Sequence, residues 1–415
     1  MKIALVTLGT RGDVQPYVAV ARALMARGHD VKIAVSDDHA ALLRSYGVAH
    51  HAMRGNFREM MQSDLGRAWL SSADSPLEYA RLAKELFLPL QKQICEDADA
   101  AVEGADGVVF YVMAMHAMHA AERRGLPFVA LAPWPMAAST EIAPLPAPWL
   151  ASAPGFVRKL ATEWIMRLGF SAFNGEHQRY RASIGMKPYR AGDTLHAVTR
   201  SGCSCVHLFS EAILPRPRDW QAHHHVAGFA FAPPLAYTPP KALAEFLATG
   251  PPPVYIGFGS MTGRGPGELA KLARRAARLA GVRAIIATGW AELDVESSKD
   301  VYVIDEAPHD WLFSRVAAVV HHGGAGTLAE GLRAGKPTVV AAFFADQPFW
   351  GWLNARIGAG PAPLLRKTLT PERLAAAIRA ALDGAYTERA RALAERIGAE
   401  DGAARAAALI EDAFR

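Results

Sequence analysis

Three cysteines in 415 residues, Cys95, Cys203 and Cys205, are too few for a disulfide framework. The spacing Cys203-Ser204-Cys205 fits neither a zinc site nor a Cys-x-x-Cys redox pair, so free thiols in a reducing cytoplasm are expected. Blocks of like charge are also missing, and the formal net charge is only +5. That balance gives no reason to expect nucleic acid as a partner. It is compatible with an anionic substrate or an acidic membrane surface. The longest apolar stretch, residues 107–121, contains His116 and His119 and falls short of the ~20 residues that a membrane span requires. A secretory leader does not fit, because residues 2–7 already read as a strand. The expected location is cytoplasmic, with peripheral contact to the inner membrane face as an option. Metal-ligand spacing is lacking too. His223-His224-His225 runs into a strand-like segment, where only alternate side chains share a face, so no metal is expected.

What is present is a repeated alternation of strand and helix. A chain of this length suits two domains rather than one core. Residues 3–8 form a continuous apolar run, as in a central parallel strand. The turn Gly9-Thr10-Arg11-Gly12-Asp13 follows. Val14, Tyr17, Val18, Ala21, Leu24 and Met25 then recur at helical spacing until Gly28, and 31–35 is the next strand. This β-turn-α-β opening predicts a doubly wound α/β domain. Further strands are predicted at 107–112, 127–131 and 205–209, with mostly helical segments across 56–100 and a helix over 156–184. Residues 133–154 read as an irregular loop or lid. Prolines crowd 215–253, and the alternation then restarts. Strands are expected at 254–258, 282–287, 301–304, 316–320 and 338–344. Helices are expected at 267–280, 327–334, 350–357, 371–383 and 386–414. The predicted organisation is a first domain over 1–215, a linker over 216–253 and a second domain over 254–395. A terminal helix over 396–415 would be free to pack back on the first domain.

Chemistry concentrates at three corners. The stretch His321-His322-Gly323-Gly324-Ala325-Gly326-Thr327 joins a buried strand to a helix. Such a corner gathers bare backbone N–H groups and a helix N-terminus, which suits a phosphate. Strand alternation lets only one of the two histidines face that point. Gly257-Phe258-Gly259-Ser260-Met261 is a second glycine corner on the same sheet edge, where ligands of open α/β sheets bind. Taken alone, it reads equally as a tight turn. Asp346 and Gln347 lie in an aromatic setting after the following strand. Either they meet sugar hydroxyls or Asp346 caps the helix entered through Pro348. Asp13 divides in the same way, between general base and helix N-cap. A nicotinamide fingerprint would need Gly-x-Gly-x-x-Gly after the first strand, and Gly9-Thr10-Arg11-Gly12 does not supply it.

Taken in order, these segments resemble the two-domain GT-B glycosyltransferases, and among them the family of sterol glucosyltransferases and bacterial natural-product glycosyltransferases. The matching segments begin with Gly9 to Pro16, Arg218-Asp219-Trp220 through Gly228, and Val254 to Met261. They continue with Ala287 to Trp290, Ala307 to Phe313, His321 to Pro337, and Asp346 to Gly351. The acceptor region, residues 50–200, matches least. The resemblance implies two doubly wound Rossmann-like domains facing across a cleft. It implies Asp13 as the base that deprotonates the acceptor hydroxyl. His321, Gly323, Gly324, Gly326 and Thr327 would hold a diphosphate, with Arg11 and Gly12 reaching it from the other domain. Gly259, Ser260, His309 and Trp311 would border the nucleoside, and Asp346 and Gln347 the donor sugar. The plant branch has a stacking tryptophan where this chain has Glu306, so base recognition differs in detail. Glu330 is a further candidate for the ribose.

The implied reaction is a metal-independent, inverting transfer from UDP-glucose as co-substrate, or from a dTDP- or UDP-deoxysugar, with no cofactor. The acceptor would be a small apolar alcohol or phenol: sterol-like, polyketide or lipid. Trp69, Met113, Met115, Trp134 and Trp149 lie where they could line its pocket or simply fill a core. A GT-B epimerase and a non-catalytic partner protein are the alternatives. The sequence does not determine an oligomeric state.

Overall fold

The computed structural model describes residues 1–72, 75–189, 198, 202–259, 266–289 and 297–415. Two parallel sheets organise it. The first contains β1 (Lys2–Val6), β2 (Asp30–Ser36), β3 (Ala49–Met53), β4 (Gly107–Phe110), β5 (Phe128–Ala132), β6 (Ser204–His207) and β7 (His224–Val226), in the order β3-β2-β1-β4-β5-β6-β7. The second contains β8 (Val254–Gly257), β9 (Ala284–Ala287), β10 (Val301–Ile304), β11 (Val319–His321), β12 (Thr338–Ala342) and β13 (Leu364–Leu365), in the order β10-β9-β8-β11-β12-β13. The central strands β1, β4, β8, β11 and β12 are almost wholly buried, which is why they read as unbroken apolar runs.

In each sheet the winding reverses direction once, beside β1 in the first and β8 in the second. A crevice opens where strand order reverses, at the carboxyl ends of the strands. Asp13 follows β1, Gly259 follows β8 and the His322–Thr327 corner follows β11. The topology therefore brings these three corners to the two switch points.

One strand goes unpredicted and two expectations change. The strand β3, Ala-His-His-Ala-Met, carries no apolar run because it is a half-exposed edge. Its partner β2 supplies the burial. The proposed linker starts too early, since β7 pairs with β6 from Cys205 to His207 and belongs to the first sheet. Finally, the helix expected over 386–414 is two helices, Gly384–Gly398 and Gly402–Phe414. Asp401 breaks the run by accepting the N–H of Ala404 as an N-cap.

That break sends the chain across the molecule. Leu393 and Ile397 pack with Leu328, Leu332 and Trp350 of the second half. Ala403, Ala406, Ala407 and Ile410 instead join the core of the first sheet. Glu411 accepts from Arg27 at 2.5 and 2.8 Å and meets His29 at 2.7 Å. A Cβ on Gly107 would stand 2.5 Å from the Phe414 ring, so the ring seals the end of β4. Ile410 is fully buried although it lies five residues from Arg415. Ile410→Ala should cost ~2–5 kcal/mol. Denaturant unfolding should register that loss in the first domain, and a change under 1 kcal/mol would mean that the terminal helix is not part of that core.

Candidate active site

A single cleft of 1730 Å³ is lined by both halves. Asp13 stands on its first-domain wall. Its helix, Arg11–Ala26, has Thr10 as N-cap, so Asp13 is the third helical residue and not the cap. Its Oδ2 accepts the Thr10 N–H at 2.8 Å and the Thr10 hydroxyl at 3.0 Å. Its Oδ1 accepts the Tyr111 hydroxyl at 3.1 Å. Gly9, at φ +125°, is what admits the carboxylate, since a Cβ there would lie 2.4 Å from Oδ2. Burial raises the Asp13 pKa, and the Thr10 and Tyr111 hydrogen bonds hold it back. Each carboxylate oxygen can accept more than one bond, so neither partner closes the group to a substrate.

The second-domain wall carries the helix Ala325–Arg333, capped by Gly324. It opens two residues before the expected Thr327. The unpaired N–H groups of its first turn, at Ala325, Gly326 and Thr327, border the cleft. At Gly326 nothing lies within 4 Å of where a Cβ would be.

The histidine that faces the cleft is His322, not His321. His321 ends β11 fully buried, and its Nδ1 accepts the Gly323 N–H at 3.1 Å, which draws the ring back over the turn. The same bond occupies the N–H of Gly323. That residue is beneath the cleft wall, where a Cβ would meet Val340 at 2.8 Å. The His322 ring stands between two glycine corners. A Cβ on Gly324 would lie 2.6 Å from its Nε2 and one on Gly259 3.1 Å from its Cε1. Burial lowers its pKa to about 4, so the ring is neutral.

Asp346 lines the cleft and accepts the Trp350 indole N–H at 2.7 Å. Burial raises its carboxyl to about 6, and the charge of Asp13 acts in the same direction. Gln347 also borders the cleft, but its Oε1 accepts the N–H groups of Phe343 and Phe344, so that half of the amide is structural. Ala345 between the wall and these residues has φ +57°, a strained value outside glycine.

Gly12, Gly259 and His309 line the cleft, His309 stacking on Phe313 at 4.4 Å. Trp311 does not line it. Its helix, His309–Phe313, turns that indole outward against Tyr237 and under the Arg315 guanidinium. Ser260 lies outside the described residues. Arg11 reaches across the cleft, but to Glu306 at 3.1 Å. Both side chains are exposed, so the bridge is worth ~0–1 kcal/mol. Glu330 borders the cleft and pairs with Arg333 at 2.6 Å. Trp69, Met113, Met115, Trp134 and Trp149 all line the first-domain part of the cavity, with Phe87, Trp164 and Phe173. Trp69 also meets Phe344 of the second half at 6.0 Å. Among the described residues no group of His, Cys, Asp and Glu is arranged to hold a metal ion.

Sequence reasoning missed Tyr111. Its signal was positional: it immediately follows β4, beside the switch point. It also missed His322 as the wall residue, which needed the turn geometry rather than the pattern.

The amino-terminal part, residues 3–141, matches the glycosyltransferase family 28 N-terminal domain. Residues 284–411 match the erythromycin biosynthesis protein CIII-like C-terminal domain. Two sterol 3-beta-glucosyltransferases of Arabidopsis thaliana are each 31% identical, over 97% and 98% of this chain and 64% and 67% of theirs. The chain belongs to this glycosyltransferase family. It spans about two thirds of those plant relatives and 27% of a Cryptococcus neoformans sterol 3-beta-glucosyltransferase that is 29% identical. The GT-B fold recurs in a kitacinnamycin glycosyltransferase with a TM-score of 0.71, 21% identity and coverage of 100% and 99% of the two chains. It recurs in a calicheamicin glycosyltransferase at 0.68 and 17%, over 99% and 97%.

Tyr111→Phe should raise the Asp13 pKa further, because the hydroxyl stabilises the ionised form. A carboxyl-carbon NMR titration of Asp13 would read the shift, and an unmoved midpoint would rule out the hydrogen bond as a determinant.

Proposed function

We propose that this chain transfers a hexose from a nucleoside diphosphate sugar, with UDP-glucose as the expected donor, to a hydroxyl of an apolar acceptor. The observation that carries this is one cavity with a buried carboxylate on one wall and an open helix N-terminus on the other. Asp13 takes the proton as the acceptor oxygen attacks the anomeric carbon. Charge developing on the departing diphosphate meets the N–H groups of Ala325, Gly326 and Thr327, with His322 beside them. Asp346 accepts hydrogen bonds from the donor sugar. A single displacement inverts the anomeric configuration. The large apolar wall of the first domain favours a transferase over an epimerase, which needs no acceptor site.

An exposed face of the long helix Gly155–Ser183 supports contact with a membrane that would carry such acceptors. Phe156, Leu160, Trp164 and Leu168, four residues apart, are 65, 59, 66 and 41% exposed. Lys159 pairs with Asp219 at 3.5 Å and Arg158 donates to the Thr140 carbonyl at 3.0 Å, so the apolar stripe itself is the contact surface. An exposed apolar stripe on a helix suits a membrane interface. Trp164 and Leu168 also border the cavity, which gives a path from bilayer to cleft.

Three outcomes are expected. Asp13→Asn should keep UDP binding and lose 10²–10⁴-fold or more in turnover, about the range for a general base. A donor-by-acceptor screen read by mass spectrometry identifies the working pair, and unchanged turnover in the variant removes Asp13 from the mechanism. The donor KM should rise as pH falls through about 6, where Asp346 becomes protonated and accepts fewer sugar hydroxyls. That acid limb should vanish in Asp346→Asn; its persistence would assign it elsewhere. Flotation with vesicles containing phosphatidylserine should recover the protein, and the double variant Phe156→Glu, Leu160→Glu should stay in solution. Equal recovery of both proteins would exclude this face.

A further inference from the structure

A chain of polar groups runs from exposed Glu122 through buried Arg181, His119 and His177 to the acceptor part of the cavity, and its hydrogen-bond polarity can be worked out. Glu122 holds Arg181 through two bonds, of 2.6 and 3.0 Å. The Arg181 Nη1 lies 3.3 Å from His119 Nδ1. Arginine only donates, so that nitrogen must present its lone pair. His119, fully buried, is kept neutral by desolvation. Its proton therefore sits on Nε2, 3.1 Å from His177 Nδ1. His177 Nδ1 must then accept. His177 is neutral for the same reason, so its own proton is on Nε2.

His177 lines the cavity, while His119 and Arg181 stand behind it. Among the described residues the hydrogen bond of His177 is made through Nδ1, which leaves its Nε2–H to the cavity. The surrounding wall is largely apolar, and the polar atom beside it, His116 Nδ1, makes no hydrogen bond. His116, whose ring is 4.7 Å from that of His177, spends its Nε2 on Gln91 Oε1 at 2.8 Å. Phe87 and Phe173 flank the patch. A donor whose direction is set by a buried arginine, and which opens into a largely apolar pocket, gives a ligand oxygen there a fixed partner. The hydrogen bonds of Asp13 lead to Thr10 and Tyr111 and none to this cluster, so the two points are separate.

We propose that His177 is a second anchor in the acceptor cavity, donating its Nε2–H to an oxygen that an otherwise apolar acceptor carries in addition to the hydroxyl at Asp13. The preferred acceptor class is then a keto-alcohol, diol or hydroxy-ether on a rigid apolar frame, rather than a simple mono-alcohol. Arg181 and His119 are positioning residues that fix the tautomer. The inference rests on the reading that this cavity holds the acceptor.

The test uses binding, so that it does not depend on a working donor. A tetracyclic mono-alcohol and the same alcohol bearing a ketone on its distal ring are titrated against the full chain, read by tryptophan fluorescence. Wild type should favour the keto-alcohol by about tenfold, the scale of one hydrogen bond in a dry site. His177→Phe should remove that preference while leaving the mono-alcohol's affinity unchanged, and His177→Gln, which keeps a donor, should restore part of it. Equal affinity for the pair in wild type, or a preference that survives His177→Phe, overturns the proposal. Binding of neither compound to wild type overturns it together with the acceptor-cavity reading, whereas binding of both without discrimination overturns the anchor alone. Should His177→Phe fail to fold, nitrogen-15 NMR of histidine-labelled wild type decides. Nε2–H tautomers at His119 and His177 support the relay, and an Nδ1–H tautomer at His177 sinks it.

Discussion

A carboxylate held in a dry cleft is the constraint on which this structure turns. Asp13 can act as a base only if it is ionised and reachable, yet burial favours the neutral form. The structure answers with local hydrogen bonds instead of a salt bridge. Thr10 supplies an N–H and a hydroxyl, Tyr111 supplies a second hydroxyl, and Trp134 donates to Tyr111 in turn at 3.3 Å. An arginine in contact would have neutralised the group and depressed its basicity. The polar neutral shell instead leaves a raised pKa. The glycine at position 9 is a consequence, because the carboxylate occupies the place of a side chain there.

The opposite wall follows the same logic with the sign reversed. Negative charge on a departing group requires donors that carry no mobile counterion, and a helix N-terminus provides them at fixed geometry. His322 is neutral, so it contributes as a donor or acceptor and not as a cation. Asp346 faces Asp13 from this side, and the two carboxyls raise the cost of each other's charge. Both walls depend on the apolar cluster in which Phe209, Trp220 and Phe229 meet Leu328, Phe349 and Trp350, and on the terminal segment that crosses between domains.

The His177 cluster extends this use of polarity without charge. In it an ion pair between exposed Glu122 and buried Arg181 does not reach the cavity itself. It orients two neutral rings whose last proton does. Such a site adds specificity at little risk of holding an unpaired charge in an apolar pocket.

Much of the architecture was legible in the sequence because it rests on short-range rules. Buried parallel strands are continuous apolar runs, and Gly-rich corners mark the strand–helix turns. Residues 3–8 and 254–258, and the glycines of 323–326, could therefore be read directly. The edge strand β3 escaped because an edge strand needs little apolar surface of its own, and the short β7 reads as strand-like but falls within the predicted linker. The site was legible as a set of corners but not as a set of atoms. Asp13, Asp346 and Gly324 to Thr327 line one cleft, yet Trp311 turns outward, His321 folds back onto Gly323, and Gln347 spends its carbonyl on backbone. Those outcomes depend on which hydrogen bonds a turn makes, and a one-residue rotation changes them without altering the pattern. Tyr111 and His177 were invisible for a stronger reason. Their partners, Asp13 and His119, are 98 and 58 residues away in the chain. Local sequence determined the strands, the turns and the chemistry available at each corner. Only the tertiary structure decided which side chains meet across the cleft, because that depends on long-range packing of separate elements.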